Sequence, residues 1–129
     1  MKKLKLLVAE DKKNYREIYE AVLANSPTFD VKIVGDGKMA VEEYVKWSPD
    51  VVVLDIMMPV MSGYLALKEI RQIELNAKRK TTIIMASSMS EKDDIEDCIK
   101  AGIQGYILKP FDPDEFCDKV VEYHAKKHA

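Results

Sequence analysis

The stretch Val51-Val52-Val53-Leu54-Asp55 constrains this chain more than any other. Four apolar residues, three of them β-branched, run directly into one carboxylate. With Ser48-Pro49-Asp50 before it and Met58-Pro59 after it, the run reads as a strand buried on both faces. Such strands belong to parallel sheets covered by helices. Asp55 would then stand at the carboxyl edge of the sheet, where open α/β folds place their ligand sites.

The neighbouring segments repeat the same alternation. Leu4 to Ala9 is a first strand ending in Glu10-Asp11. From Lys12 to Ala24, Tyr15, Ile18, Tyr19, Val22 and Leu23 form the stripe of an amphipathic helix, stopped by Asn25-Ser26-Pro27. Val31 to Val34 is a short strand, and Gly35-Asp36-Gly37 a turn. The next helix has Ala40, Val41, Tyr44 and Val45 inward and is closed by Pro49. After Asp55 comes an apolar loop, Ile56 to Gly63, suited to lining a site. A helix follows from Tyr64 to Leu75, with Arg71 and Glu74 among its charges, then a polar connector from Asn76 to Lys80. Thr81 to Ala86 is a strand ending in Ser87-Ser88. Ser90 to Asp93 opens a helix in the manner of a capping box, and this helix buries Ile95, Cys98, Ile99 and Gly102. Gly105 to Leu108 is a fifth strand, ending in Lys109-Pro110. Asp112-Pro113-Asp114-Glu115 supplies a cap, a proline at the first helical position and acids in the first turn. The last helix buries Phe116, Val120 and Val121 and frays from Ala125 onward.

Five strand–helix units in succession predict an α/β fold: parallel strands, right-handed crossovers and helices on both faces. The 129 residues suit one domain. Its boundaries are placed at residues 1–125, with a short tail at 126–129. A net charge of −2 gives no reason to expect nucleic acid or an anionic membrane as partner. Cys98 and Cys117 lie in helical patterns without metal-ligand spacing, which suits two reduced core thiols. The apolar run after Met1-Lys2-Lys3 is too short for a signal-peptide core or a membrane span. A cytoplasmic, soluble protein is expected.

In a parallel sheet all carboxyl ends of strands share one edge. That edge would collect Glu10, Asp11, Asp55, Ser87, Ser88 and Lys109. Two like charges about 4 Å apart repel by about 4 kcal/mol at an effective dielectric near 20, so three carboxylates require a proton or a cation. An all-oxygen set with room for water and phosphate oxygens suits Mg²⁺. A carboxylate beside a metal, a lysine and a hydroxyl has the components of phosphoryl transfer, and Asp55 is a plausible nucleophile. Singly, each of these features has an ordinary structural explanation as a cap, a turn or a solvated loop, and that explanation is the better one for each except Asp55. Their convergence at one edge is harder to explain that way.

Four segments carry a family resemblance: Leu6-Leu7-Val8-Ala9-Glu10-Asp11, Val52-Val53-Leu54-Asp55-Ile56-Met57-Met58-Pro59, Ile83-Ile84-Met85-Ala86-Ser87-Ser88 and Gly105-Tyr106-Ile107-Leu108-Lys109-Pro110-Phe111. In this order they resemble the receiver domain of two-component response regulators, over essentially the whole chain. The resemblance implies a flavodoxin-like (βα)5 three-layer sandwich with strand order 2-1-3-4-5. It implies that Asp55 accepts a phosphoryl group from a sensor histidine kinase or a histidine phosphotransfer protein. It gives Mg²⁺ to Asp11, Asp55 and the Met57 backbone carbonyl, with Glu10 acting through water. Ser87 and Lys109 would bind phosphoryl oxygens, the Lys109-Pro110 peptide would be cis, and Tyr106 would be the switch aromatic that turns inward as Ser87 moves. The face of the fourth helix, fifth strand and fifth helix would bind a downstream target or output domain, or a second copy as a homodimer. The chain would be a signalling switch whose only catalysis is its own phosphorylation and dephosphorylation.

Some positions depart from the family's common pattern. Glu10 stands where Asp is frequent, Ser87 where Thr is commoner, and Val60 and Ser62 where Gly and Asp are frequent. Met57 and Met89 occupy positions that tune phosphoryl hydrolysis, and both are unable to orient a water by hydrogen bonding. Three other classes fit the residues less well. A haloacid-dehalogenase-type hydrolase lacks its second acid, because Met57 stands two residues after Asp55. A nucleotide or flavin carrier would need an anion-binding loop where Glu10-Asp11-Lys12 stands. An unphosphorylated receiver-like scaffold is the weaker choice with the acids, hydroxyl and lysine all present.

Overall fold

The computed structural model describes residues 2–77, 79–88 and 92–127. Its strands are β1 (Leu4–Ala9), β2 (Phe29–Val34), β3 (Val51–Asp55), β4 (Thr82–Ser87) and β5 (Gly105–Leu108). They alternate with α1 (Lys13–Leu23), α2 (Gly37–Trp47), α3 (Gly63–Ala77), α4 (Lys92–Ala101) and α5 (Pro113–Lys127). All strand pairs are parallel, in the order β2-β1-β3-β4-β5. This is the expected flavodoxin-like arrangement. α5 runs two residues past the boundary placed at 125, and residues 128–129 lie outside the described residues.

Period-two alternation divides the sheet between two cores. Leu7, Ala9, Val52, Leu54, Ile83 and Met85 face one side, where α2, α3 and α4 pack. Leu6, Val8, Val51, Val53, Ile84 and Ala86 face the other, with Tyr19 and Leu23 of α1 and Phe116 and Val120 of α5. β3 is the middle strand of the five and is buried along its whole length, so both of its faces must be apolar until the site begins.

The helices depart from the expected stripes at their edges. Ile18, Val45, Ile99 and Val121, expected inward, are exposed. Each adjoins in sequence a buried residue of its helix (Tyr19, Tyr44, Cys98 and Val120), which places it at the flank of the buried face. Glu74, expected as a surface charge, is buried instead. It accepts from Arg71 Nη1 at 2.6 Å, Tyr44 Oη at 2.9 Å and the Thr81 amide at 2.6 Å. Arg71 also donates to the carbonyls of Thr81 and Gly102 and to Gln104. This network ties α2 and α3 to the start of β4 and to the α4–β5 turn.

Helix ends follow local chemistry. Asp36 caps α2 by accepting from the Met39 amide at 2.8 Å, and Ser48, in the left-handed region, ends that helix before Pro49 is reached. Asp112 caps α5, accepting from the Asp114 amide at 2.9 Å, with Pro113 first in the helix. The capping position expected at Ser90 lies outside the described residues.

Candidate functional site

Strand register brings the polar residues together. Ala9 pairs with Leu54, Asp55 with Ala86, and Ser87 with Leu108. The residues that end each strand or follow it therefore reach one edge. The ladder extends slightly beyond the strands: the Glu10 amide donates to Val34 O at 3.0 Å and the Lys109 amide to Ser87 O at 2.7 Å. These bonds fix the backbone under Glu10, Ser87 and Lys109. The Lys109-Pro110 peptide is cis, as expected.

Glu10, Asp11 and Asp55 each offer a carboxylate oxygen within 4.8 Å of the others. Glu10 is fully buried and Asp55 nearly so. Lys109 Nζ lies 2.5 Å from Glu10 Oε1 and 3.2 Å from Asp55 Oδ2. Burial, and after it the hydrogen bond and charge of Glu10, push the Asp55 carboxyl up to about 7. Burial also works against ionisation of Glu10, but Lys109 and Asp55 outweigh it and hold Glu10 below the usual carboxylate range. Burial would depress Lys109, yet its bond to Glu10 and the charge of Asp55 raise it above an ordinary lysine. With all three acids ionised and Lys109 charged, the site carries −2, which a divalent cation would balance.

Two buried side-chain oxygens among the described residues have no hydrogen-bond partner: Asp11 Oδ1 and Ser87 Oγ. A buried acceptor or hydroxyl left unpaired is costly unless something arrives to use it. The orphaned carboxylate oxygen, in a cluster made of oxygen donors alone, fits a hard cation such as Mg²⁺. The orphaned hydroxyl belongs to the residue after Ala86, the partner of Asp55 in the ladder.

Of the residues expected at this site, Glu10, Asp11 and Asp55 cluster together, and Lys109 makes ion pairs with Glu10 and Asp55. Ser87 is buried at the same edge. Met57 lies in the loop beyond Asp55 with its side chain largely exposed, and Tyr106, on β5, holds its ring partly in solvent at 43% exposure. Tyr123 Oη donates to the Tyr106 carbonyl at 3.2 Å. Met89 lies outside the described residues.

Three contributors escaped the reading of the sequence. Arg16 Nη1 donates to the carbonyls of Glu10 at 3.1 Å and Asp11 at 2.6 Å, bracing the acidic turn. The Lys12 amide donates to Glu10 Oε2 at 3.2 Å. The Tyr15 ring lies 4.3 Å from Lys109 Nζ. Arg16 stands five and six residues beyond the acidic pair, in the first turn of α1, and a basic residue so close to two acids is the signal in the sequence. Tyr15 fits the apolar stripe of α1, which hides its second role.

Comparison with known proteins gives a consistent result. A family model described as the response regulator receiver domain matches residues 6–121. The chain is 36% identical over 116 residues to the chemotaxis protein CheY of Bacillus subtilis, covering 90% of this chain and 93% of that protein. It is 45% identical over 78 residues to CheY of Thermotoga maritima, covering 60% and 62%. Among solved structures, it resembles the response regulator domain of Thermotoga maritima CheB with a TM-score of 0.82 and 26% identity, over 96% of this chain and 98% of that one.

Proposed function

The chain belongs to the response regulator receiver domain family, and from that premise we propose that Asp55 is its phosphoacceptor. A carboxylate oxygen of Asp55 attacks the phosphorus of a phosphohistidine on a sensor kinase or phosphotransfer protein. The P–N bond breaks as the P–O bond forms, and the leaving imidazole nitrogen takes up a proton. The product is an acyl phosphate on Asp55.

The residues around Asp55 suit this transfer. Lys109 stands within ion-pair distance of the attacking carboxylate and would pair with a phosphoryl oxygen. The Ser87 hydroxyl, buried without a partner, would donate to another. Asp11, Asp55 and the Met57 carbonyl would hold Mg²⁺, with Glu10 reaching it through water. Bound there, the ion supplies neutralisation of charge on the carboxylates and the phosphoryl oxygens. The feature that carries the reading is the pair of orphaned oxygens on Asp11 and Ser87 at the edge where Asp55 ends its strand.

Phosphorylation adds about −1.5 to −2 charge and three acceptor oxygens. Ser87 follows that charge, and Tyr106 turns from its partly exposed position into the space vacated. The face formed by α4, β5 and α5 changes shape as a two-state element. That face would meet a target protein, an output domain or a second copy. Among the described residues no helix is long and apolar enough to cross a membrane, and a cytoplasmic setting suits the partners proposed. The chain acts as a switch, with no chemistry beyond its own phosphoryl cycle.

Incubation with acetyl phosphate and Mg²⁺ tests this by intact mass. A gain of one phosphoryl group, lost with EDTA and in Asp55→Asn, is the expected result. An equal gain in Asp55→Asn would overturn the assignment.

A further inference from the structure

Lys109 brings three N–H bonds to the site. Glu10 Oε1 accepts from it at 2.5 Å, Asp55 Oδ2 stands at ion-pair distance, 3.2 Å, and the ring of Tyr15 lies against the same nitrogen with its centroid 4.3 Å away. The Lys109 side chain is 8% exposed, so this cation–π contact is largely desolvated, the condition under which such contacts are strongest. Tyr15 is itself held in place. Its ring packs 6.3 Å from that of Phe111, which packs 5.3 Å from Tyr19 and 5.1 Å from Phe116. Phe111 follows Lys109 by two residues, so the aromatic row grips the loop that delivers the ammonium.

We propose that Tyr15 is a positioning residue for phosphoryl transfer: its ring holds the Lys109 ammonium beside Asp55 while leaving its hydrogen bonds free to change partners. This rests on the phosphoacceptor reading of Asp55. A position in an apolar stripe needs only volume, which leucine supplies. An aromatic face adds a negative quadrupole. The attraction spreads over the whole ring and fixes no single N–H direction. Lys109 can therefore turn from Glu10 to a phosphoryl oxygen without losing it. An acidic residue at position 15 would instead compete with the phosphoryl group for the amine.

The test compares Tyr15→Leu and Tyr15→Phe with the wild type, after thermal unfolding shows each to be folded; Tyr15→Met repeats the aliphatic comparison with an unbranched chain. Rates of phosphorylation by acetyl phosphate are measured, together with Mg²⁺ affinity and the affinity of the Mg²⁺-loaded protein for beryllofluoride. The aliphatic variants should be phosphorylated about three- to tenfold more slowly. Their beryllofluoride affinity should fall in step while Mg²⁺ affinity stays unchanged, because the carboxylates are untouched. Tyr15→Phe, which keeps the ring, should match the wild type throughout. Aliphatic variants at the wild-type rate would overturn the role of Tyr15, as would a Phe variant as slow as they are, or a parallel loss of Mg²⁺ affinity. A wild type that accepts no phosphoryl group at all would remove the underlying reading as well.

Discussion

Glu10 Oε1 and Lys109 Nζ meet at 2.5 Å although 99 positions separate them in the chain. The contact joins the end of β1 to the end of β5, two strands with β3 and β4 between them. A buried ammonium between two carboxylates is costly to break one partner at a time, because the remaining charge is left uncompensated. The pair still leaves excess negative charge in the pocket, and that excess has measurable consequences.

One consequence is a pH dependence. Burial first, and Glu10 second, raise Asp55 from 3.8 to about 7. A carboxyl raised in the folded state favours folding while it is protonated. Its contribution is complete below the unfolded pKa and disappears as pH rises through about 7. Stability of the protein in EDTA should therefore fall between pH 4 and pH 8 relative to Asp55→Asn, which has no such proton. The gap corresponds to roughly 4 kcal/mol at most, and relaxation of the pocket reduces it. The Asn variant should gain on the order of 2 kcal/mol over the wild type at pH 8 and little at pH 4. Denaturant titrations at the two pH values measure this, and a constant difference would contradict it.

Val60 has φ +67° and is 78% exposed. A β-branched residue in the left-handed region is strained, and its exposed side chain gains little from packing. Val60→Gly should stabilise the protein by about 1 kcal/mol after the extra entropy of the unfolded glycine is counted. A lower denaturation midpoint in the variant would show that the loop conformation is supported in some other way.

Gly63 opens α3 against the strand that carries Asp55. A Cβ there would stand only 2.1 Å from the Asp55 carbonyl oxygen, and backbone cannot yield as a side-chain tip can. Gly63→Ala should cost about 3 kcal/mol or more and slow phosphorylation by moving Asp55. Wild-type stability and rate in this variant would mean that the β3–α3 junction is more pliant than its contacts indicate.

Met57 offers no hydrogen bond to a water attacking phospho-Asp55, and its side chain is 59% exposed. The phosphorylated wild type should therefore persist well beyond seconds in buffer. Met57→Asn, which can orient a water, should shorten its life by about three- to tenfold. Phosphate release after removal of the donor measures both, and equal lifetimes would remove Met57 as a determinant.

The fold was legible because β3 and its neighbours state their burial in composition: apolar residues on both faces leave little choice but a covered parallel sheet. The polar edge was legible for the same reason, since parallel strands deliver their ends together. Less legible were residues with two plausible roles. Glu74 looks like one of several surface charges on α3, and only folding places it between Arg71, Tyr44 and Thr81. Tyr15 satisfies an apolar stripe as well as any leucine would, and its approach to Lys109 depends on a loop almost a hundred residues away. The strain at Val60 is likewise a property of the backbone, which side-chain pattern does not encode.

The central claim is that the phosphoryl group resides on Asp55, and chemical mapping tests it most directly. An acyl phosphate, unlike a phosphate ester, is reduced by borohydride, which converts a phosphorylated aspartate to homoserine. After treatment with acetyl phosphate, Mg²⁺ and borohydride, peptide mapping should find homoserine at position 55 and nowhere else. Homoserine at position 11, or a phosphoryl group that survives borohydride, would contradict the account.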